Sequence, residues 1–305
     1  MANFIPAIHV ILAVVLSPLL LGVINRTKAI FAGRRGQPLL QPYFDLIKLM
    51  NKAAVYSRTT TWVFRAGPVI GLASALACLP IVPLGGVKAL SGFEGDLVLF
   101  AYLFGLMRFI TVLAAMDTGS AFEGMGASRE VQLSALAEPA LLVGLGAMAL
   151  KTGSLSLTGI YGKISTHMIA APDGPVGFLV GMALLIVFLT ENARIPVDDP
   201  NTHLELTMIH EVMVLDHGGV DFAMIQYGAA LKLWILGTLL TGVFIPVRTQ
   251  SDFLNLAAGL AGMFLLAIVV GVIESTMARL RLIRLPQMLV AAVLLSTLAF
   301  VWILR

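Results

Sequence analysis

The sequence predicts an all-α integral membrane protein of about eight transmembrane helices that form a single domain over residues 1–305. Hydrophobic residues make up 58% of the chain and charged residues only 12%, about half the charged share of an ordinary soluble domain. A water-soluble fold of this size could not bury so much apolar surface. The apolar residues also occur in runs of about 20, the length that a helix needs to cross a hydrocarbon core of roughly 30 Å.

Topology follows from the distribution of basic residues between the predicted spans. The spans are residues 4–24, 64–84, 96–116, 131–150, 175–193, 222–246, 253–274 and 286–304. The side that holds the loops at about 25–63, 117–130, 194–221 and 275–285 carries 13 of the 20 Lys and Arg residues, and the other side carries five. Because basic loops stay in the cytoplasm, we expect a multi-pass protein of the cell (inner or cytoplasmic) membrane. Its large polar loops are then cytoplasmic and both termini outside.

The first cytoplasmic loop contains an additional amphipathic helix at about Leu39–Asn51. Leu40, Phe44, Ile47 and Met50 recur at helical spacing, with polar residues elsewhere around the helix. Such a segment is predicted to lie along the membrane interface instead of crossing it. Two interpretations stay open, namely an anchor on the lipid surface and a lip for a docked partner or a ligand tunnel.

Ionisable residues in the spans are the first candidates for function, because a charge at the bilayer centre costs roughly 3 kcal/mol or more. Arg108, Glu138, Lys232 and Glu274 lie within spans, and Asp117 and Glu191 lie at span ends. Glu130 and Glu138 are eight residues apart and share one helix face. Pro139 leaves a backbone carbonyl free beside Glu138, which suits a proton-transfer site.

An ion pair of Glu138 with Arg108 or Lys232 is the structural alternative. Arg108 is expected to pair, because a guanidinium keeps its proton. Lys232 is the better proton carrier, because burial lowers the pKa of a lysine.

The loop after the fifth span is the most polar part of the chain. Its acidic residues are Glu191, Asp198, Asp199, Glu205, Glu211, Asp216 and Asp221, and its histidines are His203, His210 and His217. There is no HExxH sequence, and Asp198–Pro200 reads as a capped helix start, so no metal site is predicted. We expect a hydrated acidic funnel in which like charges raise one another's pKa.

Several function classes are excluded by missing motifs. The sequence has no Walker motif and no GxSxG, and the GMG at 124–126 does not follow a strand. The basic residues do not form the cluster that nucleic acid requires. Cys78 is the single cysteine, so any redox metal cluster is expected in a partner.

Four segments together resemble a known family. They are DTGSAFEGMGASREVQLSALAE at Asp117–Glu138, RRGQPLLQPYFDLIKL at Arg34–Leu49, ENARIP followed by Asp198, Pro200, Glu205 and Leu206, and ESTMARLRL at Glu274–Leu282. They resemble the membrane subunit of formate hydrogenlyase and hydrogenase-4, a group 4 energy-converting nickel–iron hydrogenase, which is related to the H-type subunit of respiratory complex I. The segments DTGS, GASRE and MARLRL favour the hydrogenase branch.

The resemblance implies a fold like that of the complex I H-type subunit and a non-catalytic role. The chain is expected to anchor a hydrophilic redox arm and to couple electron transfer to proton or sodium translocation. Expected partners are a hydrogenase-like large catalytic subunit, an iron–sulfur small subunit, antiporter-like membrane subunits and lipid, with no nucleic acid. The nickel–iron centre and the iron–sulfur clusters belong to the partners, and this chain holds no cofactor.

The resemblance and the charge pattern together assign roles to individual residues. Coupling or proton transfer is expected of Glu130, Glu138, Glu191, Asp198, Asp199, Glu205, Glu211, Lys232 and Glu274. Structural ion pairing is expected of Arg108, Asp117 and Arg194, and a partner interface of Arg34, Arg35, Asp45, Lys48, Arg279 and Arg281.

The chain departs from its relatives at Val197, Asn201 and His203, where the arm docks and where complex I admits quinone. A quinone-site subunit of a complex I-like oxidoreductase is the alternative function. An independent antiporter fits the buried acids and lysine but not the basic first loop.

Overall fold

The computed structural model describes residues 4–164, 174–198 and 208–305, and no β-strand occurs within them. Their α-helices are α1 Phe4–Phe31, α2 Gln41–Met50, α3 Trp62–Cys78, α4 Asp96–Asp117, α5 Ala121–Thr152, α6 Leu157–Lys163, α7 Gly174–Glu191, α8 Gly219–Phe244, α9 Asp252–Thr276 and α10 Leu285–Leu304. Eight of the helical segments are long and apolar enough to cross a membrane. The predicted all-α membrane fold is confirmed.

Helix α8 lies at the centre of the bundle, and 78% of its most apolar 18-residue stretch is buried. It packs against α1, α2, α3, α7 and α9, while α5 packs against α7 and α10. Lipid tails are as apolar as leucine, so helices in a membrane associate through close packing at small residues. A Cβ at Gly237 would lie 2.9 Å from Met263, and one at Gly242 would lie 2.6 Å from Tyr161. These glycines let neighbouring elements approach α8 closely.

The predicted loop at 117–130 is wrong over most of its length. Helix α5 begins at Ala121, so only residues 118–120 connect it to α4. The glycines and charges of this stretch suggest a loop, yet Glu123 and Glu130 are only 1% and 5% exposed. They point into the protein, where Glu123 accepts a hydrogen bond from the Asp216 backbone N–H at 3.1 Å. The polar residues therefore mark the interior face of a helix.

Asp117 was predicted to form an ion pair, but in the structure its carboxylate binds the start of another helix. Its carboxylate accepts hydrogen bonds from the Thr61 backbone N–H at 2.7 Å, the Thr61 hydroxyl at 2.9 Å and the Phe64 backbone N–H at 3.3 Å. These N–H groups are unsatisfied at the start of a helix, so Asp117 caps α3. Within the described part of the chain, no cation lies in ion-pair contact with it.

The segment from Gly36 into the first turn of helix α2 runs back along α1, so this part of the chain is held against the bundle and does not lie freely on the membrane surface. Gly36 packs on Ala29, and the Leu39 carbonyl lies directly against the Cα of Gly22. Further along, the Tyr43 hydroxyl donates a hydrogen bond to the Val15 carbonyl. The contacts on α1 are seven residues apart, two helical turns, so they lie along one face of α1.

Pro18 interrupts the backbone hydrogen bonds of α1 at this contact. A proline has no N–H to offer the carbonyl four residues earlier, which here belongs to Val14. The Tyr227 hydroxyl of α8 donates to that carbonyl at 2.8 Å. Two tyrosines from two other helices therefore hold α1 around its proline.

The Gly22→Ala substitution is expected to displace α2 from α1, because a Cβ at Gly22 would collide with the Leu39 backbone carbonyl. Overpacking of this kind costs about 1–3 kcal/mol. We expect a lower thermal unfolding midpoint and faster proteolysis at residues 32–40 in the purified protein. The matched control is Gly105→Ala, where a Cβ meets nothing within 4 Å. Equal midpoints and equal cleavage in the two variants would contradict the close approach.

Candidate functional site

Arg108 of α4 gathers three carboxylates from two other helices. Its Nε lies 3.3 Å from Glu130 Oε1, and its two Nη atoms contact Glu138 and Glu191. Glu130 and Glu138 come from α5, where the eight-residue spacing places them on one face, and Glu191 is the last residue of α7. The arginine cannot release its proton, so it acts as a fixed positive charge at the centre.

Lys232 of the central helix α8 supplies a second cation. Its Nζ lies 2.8 Å from Glu191 Oε2, and the Lys232 side chain is 16% exposed. Arg108 and Lys232 together balance two of the three carboxylates. A third positive charge is needed to make this group electrically neutral, as a low-dielectric interior favours.

His210 provides that third charge from the loop between α7 and α8. Its Nε2 lies 3.0 Å from Glu130 Oε2, and its Nδ1 lies 3.7 Å from Asp198 Oδ2. Burial acts to lower the pKa of His210, but the charge of Glu130 and the contacts of the ring with both carboxylates raise that pKa to about 9. The imidazole is therefore protonated at neutral pH, and the group is balanced.

Asp198 continues the chain of contacts toward the surface. Its Oδ1 lies 2.8 Å from Arg279 Nη2, and its Oδ2 accepts hydrogen bonds from the backbone N–H groups of Ile209 and His210 at 3.0 and 3.3 Å. Burial acts to raise the pKa of Asp198, yet His210 and Arg279 outweigh it and the pKa falls below its usual value. The expectation that like charges raise the pKa in this loop is wrong for Asp198, because cations lie beside it.

A cavity of about 510 Å³ opens beside this ionic chain. Its polar wall is formed by Arg108, Glu130, Glu191, Asn192, Arg194, His210, Glu211 and Lys232, and its apolar wall includes Pro18, Leu21, Leu72, Phe104, Met107 and Ile225. Asp45 and Leu46 of α2 line it as well, whereas Phe44, Ile47 and Met50 are exposed on the other side of α2. Helix α2 therefore covers the cavity with one face and presents an apolar face outward.

A second ionic group joins α1 and α9. The fully buried carboxylate of Glu274 lies 2.8 Å from Lys28 Nζ and 3.3 Å from Arg194 Nη1. Arg194 also lines the cavity. Both ionic groups therefore border the cavity, one through Arg194 and the other through Arg108.

Glu138 differs from the other carboxylates in its exposure. Its side chain is 47% exposed, against 7% for Glu130 and 4% for Glu191. It lies near the middle of α5, one residue before Pro139. The Arg108 cluster, defined as Arg108, Glu130, Glu138, Glu191 and Lys232, thus reaches the lateral surface of the bundle.

The structure brings most predicted coupling residues together. Glu130, Glu138, Glu191 and Lys232 lie in the cluster that Arg108 holds, and Glu211 lines the cavity. Asp198 is joined to the cluster through His210, and Glu274 lies in the second group with Arg194. Arg34, Arg35, Asp45, Lys48 and Arg281 of the predicted interface are exposed, while Arg279 binds Asp198. Asp199 and Glu205 lie outside the described residues.

Two residues of the ionic groups, His210 and Lys28, were not among the site residues predicted from the sequence. His210 stood out only by its seven-residue spacing from the other loop histidines, and Lys28 only as one of many basic residues of the first loop. Among residues 4–164, 174–198 and 208–305, no group of three or more His, Cys, Asp and Glu side chains is arranged to hold a metal ion.

Comparison with known proteins decides the family. The profile of the NADH dehydrogenase family matches residues 4–305. This chain belongs to that family. It is 30% identical to formate hydrogenlyase subunit 4 of Escherichia coli (strain K12), over 100% of this chain and 99% of that protein. It is 29% identical to hydrogenase-4 component C of the same organism, over 96% of this chain and 93% of that protein.

More distant relatives agree with this assignment. The H-type subunit of the NADH-quinone oxidoreductase of Anaplasma phagocytophilum (strain HZ) is 27% identical over 68% of this chain and 63% of that protein. A chain of the membrane-bound sulfane sulfur reductase, an archaeal respiratory membrane complex, has a TM-score of 0.84 at 19% identity and covers 99% of this chain and 100% of its own. The resemblance inferred from the four segments is confirmed, and the full-length matches favour the hydrogenase branch.

The contact of His210 with Glu130 and Asp198 is expected to stabilise the protein less as the pH becomes alkaline. The pKa of His210 is raised to about 9 from 6.5, so its contribution is complete below pH 6.5 and is lost as the pH rises through 9. The thermal unfolding midpoint should therefore fall between about pH 7 and about pH 10, and this fall should be smaller in His210→Gln. A midpoint whose alkaline dependence is the same in the variant and the native protein would show that His210 is not the titrating group.

Proposed function

We propose that this chain is the membrane-arm subunit of an energy-converting hydrogenase or formate hydrogenlyase-like complex. It anchors a hydrophilic redox arm and couples electron transfer there to the movement of protons or sodium ions. The observation that carries the proposal is the continuous ionic chain from Arg279 through Asp198, His210 and Glu130 to Arg108. The full-length similarity to formate hydrogenlyase subunit 4 supports it.

The energetic argument rests on the cost of placing charges inside a membrane protein. An unpaired buried charge costs several kcal/mol, and even a good ion pair is no more stabilising than apolar side chains of the same size. A chain that only anchored a partner would be at least as stable with an apolar core. Ionisable residues at membrane depth accordingly mark ion or proton pathways by default.

The exposure of Glu138 supports the proposal that a neighbouring membrane subunit packs against α5. Hydrocarbon cannot solvate a half-exposed carboxylate near the middle of a membrane helix, so we expect a partner helix to cover it. An antiporter-like subunit with its own ionisable residue at that depth fits this surface. The cluster then continues into the neighbour through Glu138.

The soluble arm is assigned to the end of the bundle that carries α2. Arg34, Arg35, Lys48 and Arg281 are exposed there and lie in the loops that the excess of basic residues assigns to the cytoplasm. The large catalytic subunit with its nickel–iron centre and the iron–sulfur subunit would dock on this surface. The chain itself lies in the cell membrane with both termini outside.

The cavity favours a second candidate, the quinone-site subunit of a complex I-like oxidoreductase. A volume of about 510 Å³ falls within the roughly 300–1,000 Å³ of small-molecule sites. One wall is apolar and the other charged, which suits a flat ring with polar oxygens. Purifying the complex through this chain separates the candidates, because mass spectrometry identifies the soluble subunits and any quinone extracted with them.

Glu138→Gln is expected to leave the complex assembled but to slow coupled ion movement by roughly 10²-fold, the contribution of a single proton-transfer group. Gln keeps the shape and a hydrogen bond to Arg108 but cannot carry a proton. Ion uptake into sealed vesicles measures the effect, with the redox rate recorded in parallel. Asp252→Asn, at the exposed start of α9, is the control. Normal uptake by Glu138→Gln would leave Glu138 a purely structural partner of Arg108.

Reversing Arg34 and Arg35 to Glu is expected to loosen the soluble arm. Exposed ion pairs contribute about 1 kcal/mol or less each, so the double reversal should weaken arm retention roughly tenfold, and more strongly at low salt. Retention is measured by size-exclusion chromatography of the detergent-solubilised complex. Lys88→Glu lies exposed at the opposite end and should have no effect. An arm retained equally in both variants argues against this docking surface.

A further inference from the structure

His210 is the titratable ring through which the acidic loop touches the Arg108 cluster within the described residues. Its Nε2 faces Glu130 at a hydrogen-bond distance of 3.0 Å. Its Nδ1 faces Asp198 at 3.7 Å, which is an ion-pair distance longer than a hydrogen bond. The two nitrogens therefore address two carboxylates on opposite sides of the ring. One carboxylate belongs to the buried cluster and the other to the loop.

The charges around His210 come from every element packed against it. Glu130 of α5 and Asp198 of the loop are in contact with the ring, and Glu211 follows it in sequence and lines the same cavity. The neighbours of those two carboxylates are cations, Arg108 on Glu130 and Arg279 on Asp198. Lys232 of α8 acts on both His210 and Glu130 as a further positive charge.

The chemical type of the residues restricts which of them can pass a proton along this chain. Arg108 and Arg279 keep their protons at any physiological pH, so they hold carboxylates in place without relaying. Imidazole accepts a proton at one nitrogen while it releases one from the other. His210 is also part of the cavity wall, where water can exchange with it.

We propose that His210 carries protons between Asp198 and Glu130 and so joins the acidic loop to the Arg108 cluster. This inference rests on the proposed coupling function and assigns its entry step to a residue. Asp198 and Glu130 are the donor and the acceptor, and Arg279 and Arg108 position them.

The proton moves through the ring in three steps. From the imidazolium, the Nε2–H bond breaks and the proton binds a Glu130 oxygen, which leaves a neutral imidazole with its proton on Nδ1. The neutral side chain then turns so that its buried Nδ1 meets water of the cavity, and exchange with that water moves the remaining proton from Nδ1 to Nε2. Once the ring has returned, a proton that has reached the Asp198 carboxyl from the loop binds Nδ1, and the imidazolium and the Asp198 carboxylate are restored. One proton has passed from Asp198 to Glu130, and no electron or other bond is involved.

The experiment uses the intact complex in sealed vesicles and compares His210→Gln and His210→Lys with His217→Gln. Gln offers hydrogen bonds without titrating near neutrality, and Lys keeps a positive charge but has a single nitrogen. His217 lies seven residues further in the same loop and stacks on Phe64 at 3.8 Å between ring centroids. Both His210 variants should lose proton translocation roughly tenfold or more relative to the redox rate of the same vesicles, with the subunit composition unchanged. His217→Gln should translocate normally.

Rescue by free imidazole separates proton transfer from a structural role. His210→Ala opens space beside a cavity of about 510 Å³, into which imidazole fits. We expect added imidazole to restore at least part of the translocation, with a pH dependence that shifts when methylimidazoles of different pKa replace it. Rescue that fails while the complex stays assembled, or His210→Lys translocating like the native protein, would overturn the role of His210.

The failure of this inference is distinguishable from failure of the proposed function. If Glu138→Gln is impaired while His210→Gln translocates normally, coupling stands and the proton enters the cluster by another route. If the native complex moves no ions while its redox rate is normal, the coupling function fails as a whole. Both outcomes overturn the relay through His210, and only the second overturns the function.

Discussion

The balance of charge around Arg108 is the constraint on which the rest of the structure depends. Three carboxylates converge on one guanidinium inside a helical bundle, and such a group is tolerated only when its net charge is close to zero. Lys232 and protonated His210 supply the two further positive charges that the three carboxylates require. That requirement draws α4, α5, α7 and α8 to one point and fixes the loop that carries His210 against α5. Removing any one of these charges leaves an uncompensated partner inside the bundle.

The sequence predicted the spans and most of the charged cluster for a simple physical reason. Apolar runs and the charges that interrupt them are local properties, so α8 with Lys232 and α5 with Glu138 were recognisable without tertiary information. The start of α5 was not, because its glycines and acids are typical of a loop and only the tertiary structure shows that Glu123 and Glu130 face inward. The pairing of His210 with Glu130, and the capping of α3 by Asp117, join residues far apart in the sequence, and no local pattern encodes them.

Helix α2 reconciles the two interpretations that its amphipathic pattern left open. One face lines the cavity with Asp45 and Leu46, and the other exposes Phe44, Ile47 and Met50. The same helix therefore serves as a wall of the internal space and as an apolar surface for lipid or a partner. A protein that docks on the outer face of α2 binds a helix that also lines the cavity, so no other helix is needed to connect the two.

The tyrosines at Pro18 extend this mechanical connection to the central helix. Tyr43 of α2 and Tyr227 of α8 bind successive carbonyls of α1, so three helices share one hinge point. Tyr227 lies little more than one turn before Lys232 on α8. Because both residues lie on α8, a tilt of this helix at the ion pair of Lys232 would also shift the α1 carbonyl that Tyr227 binds.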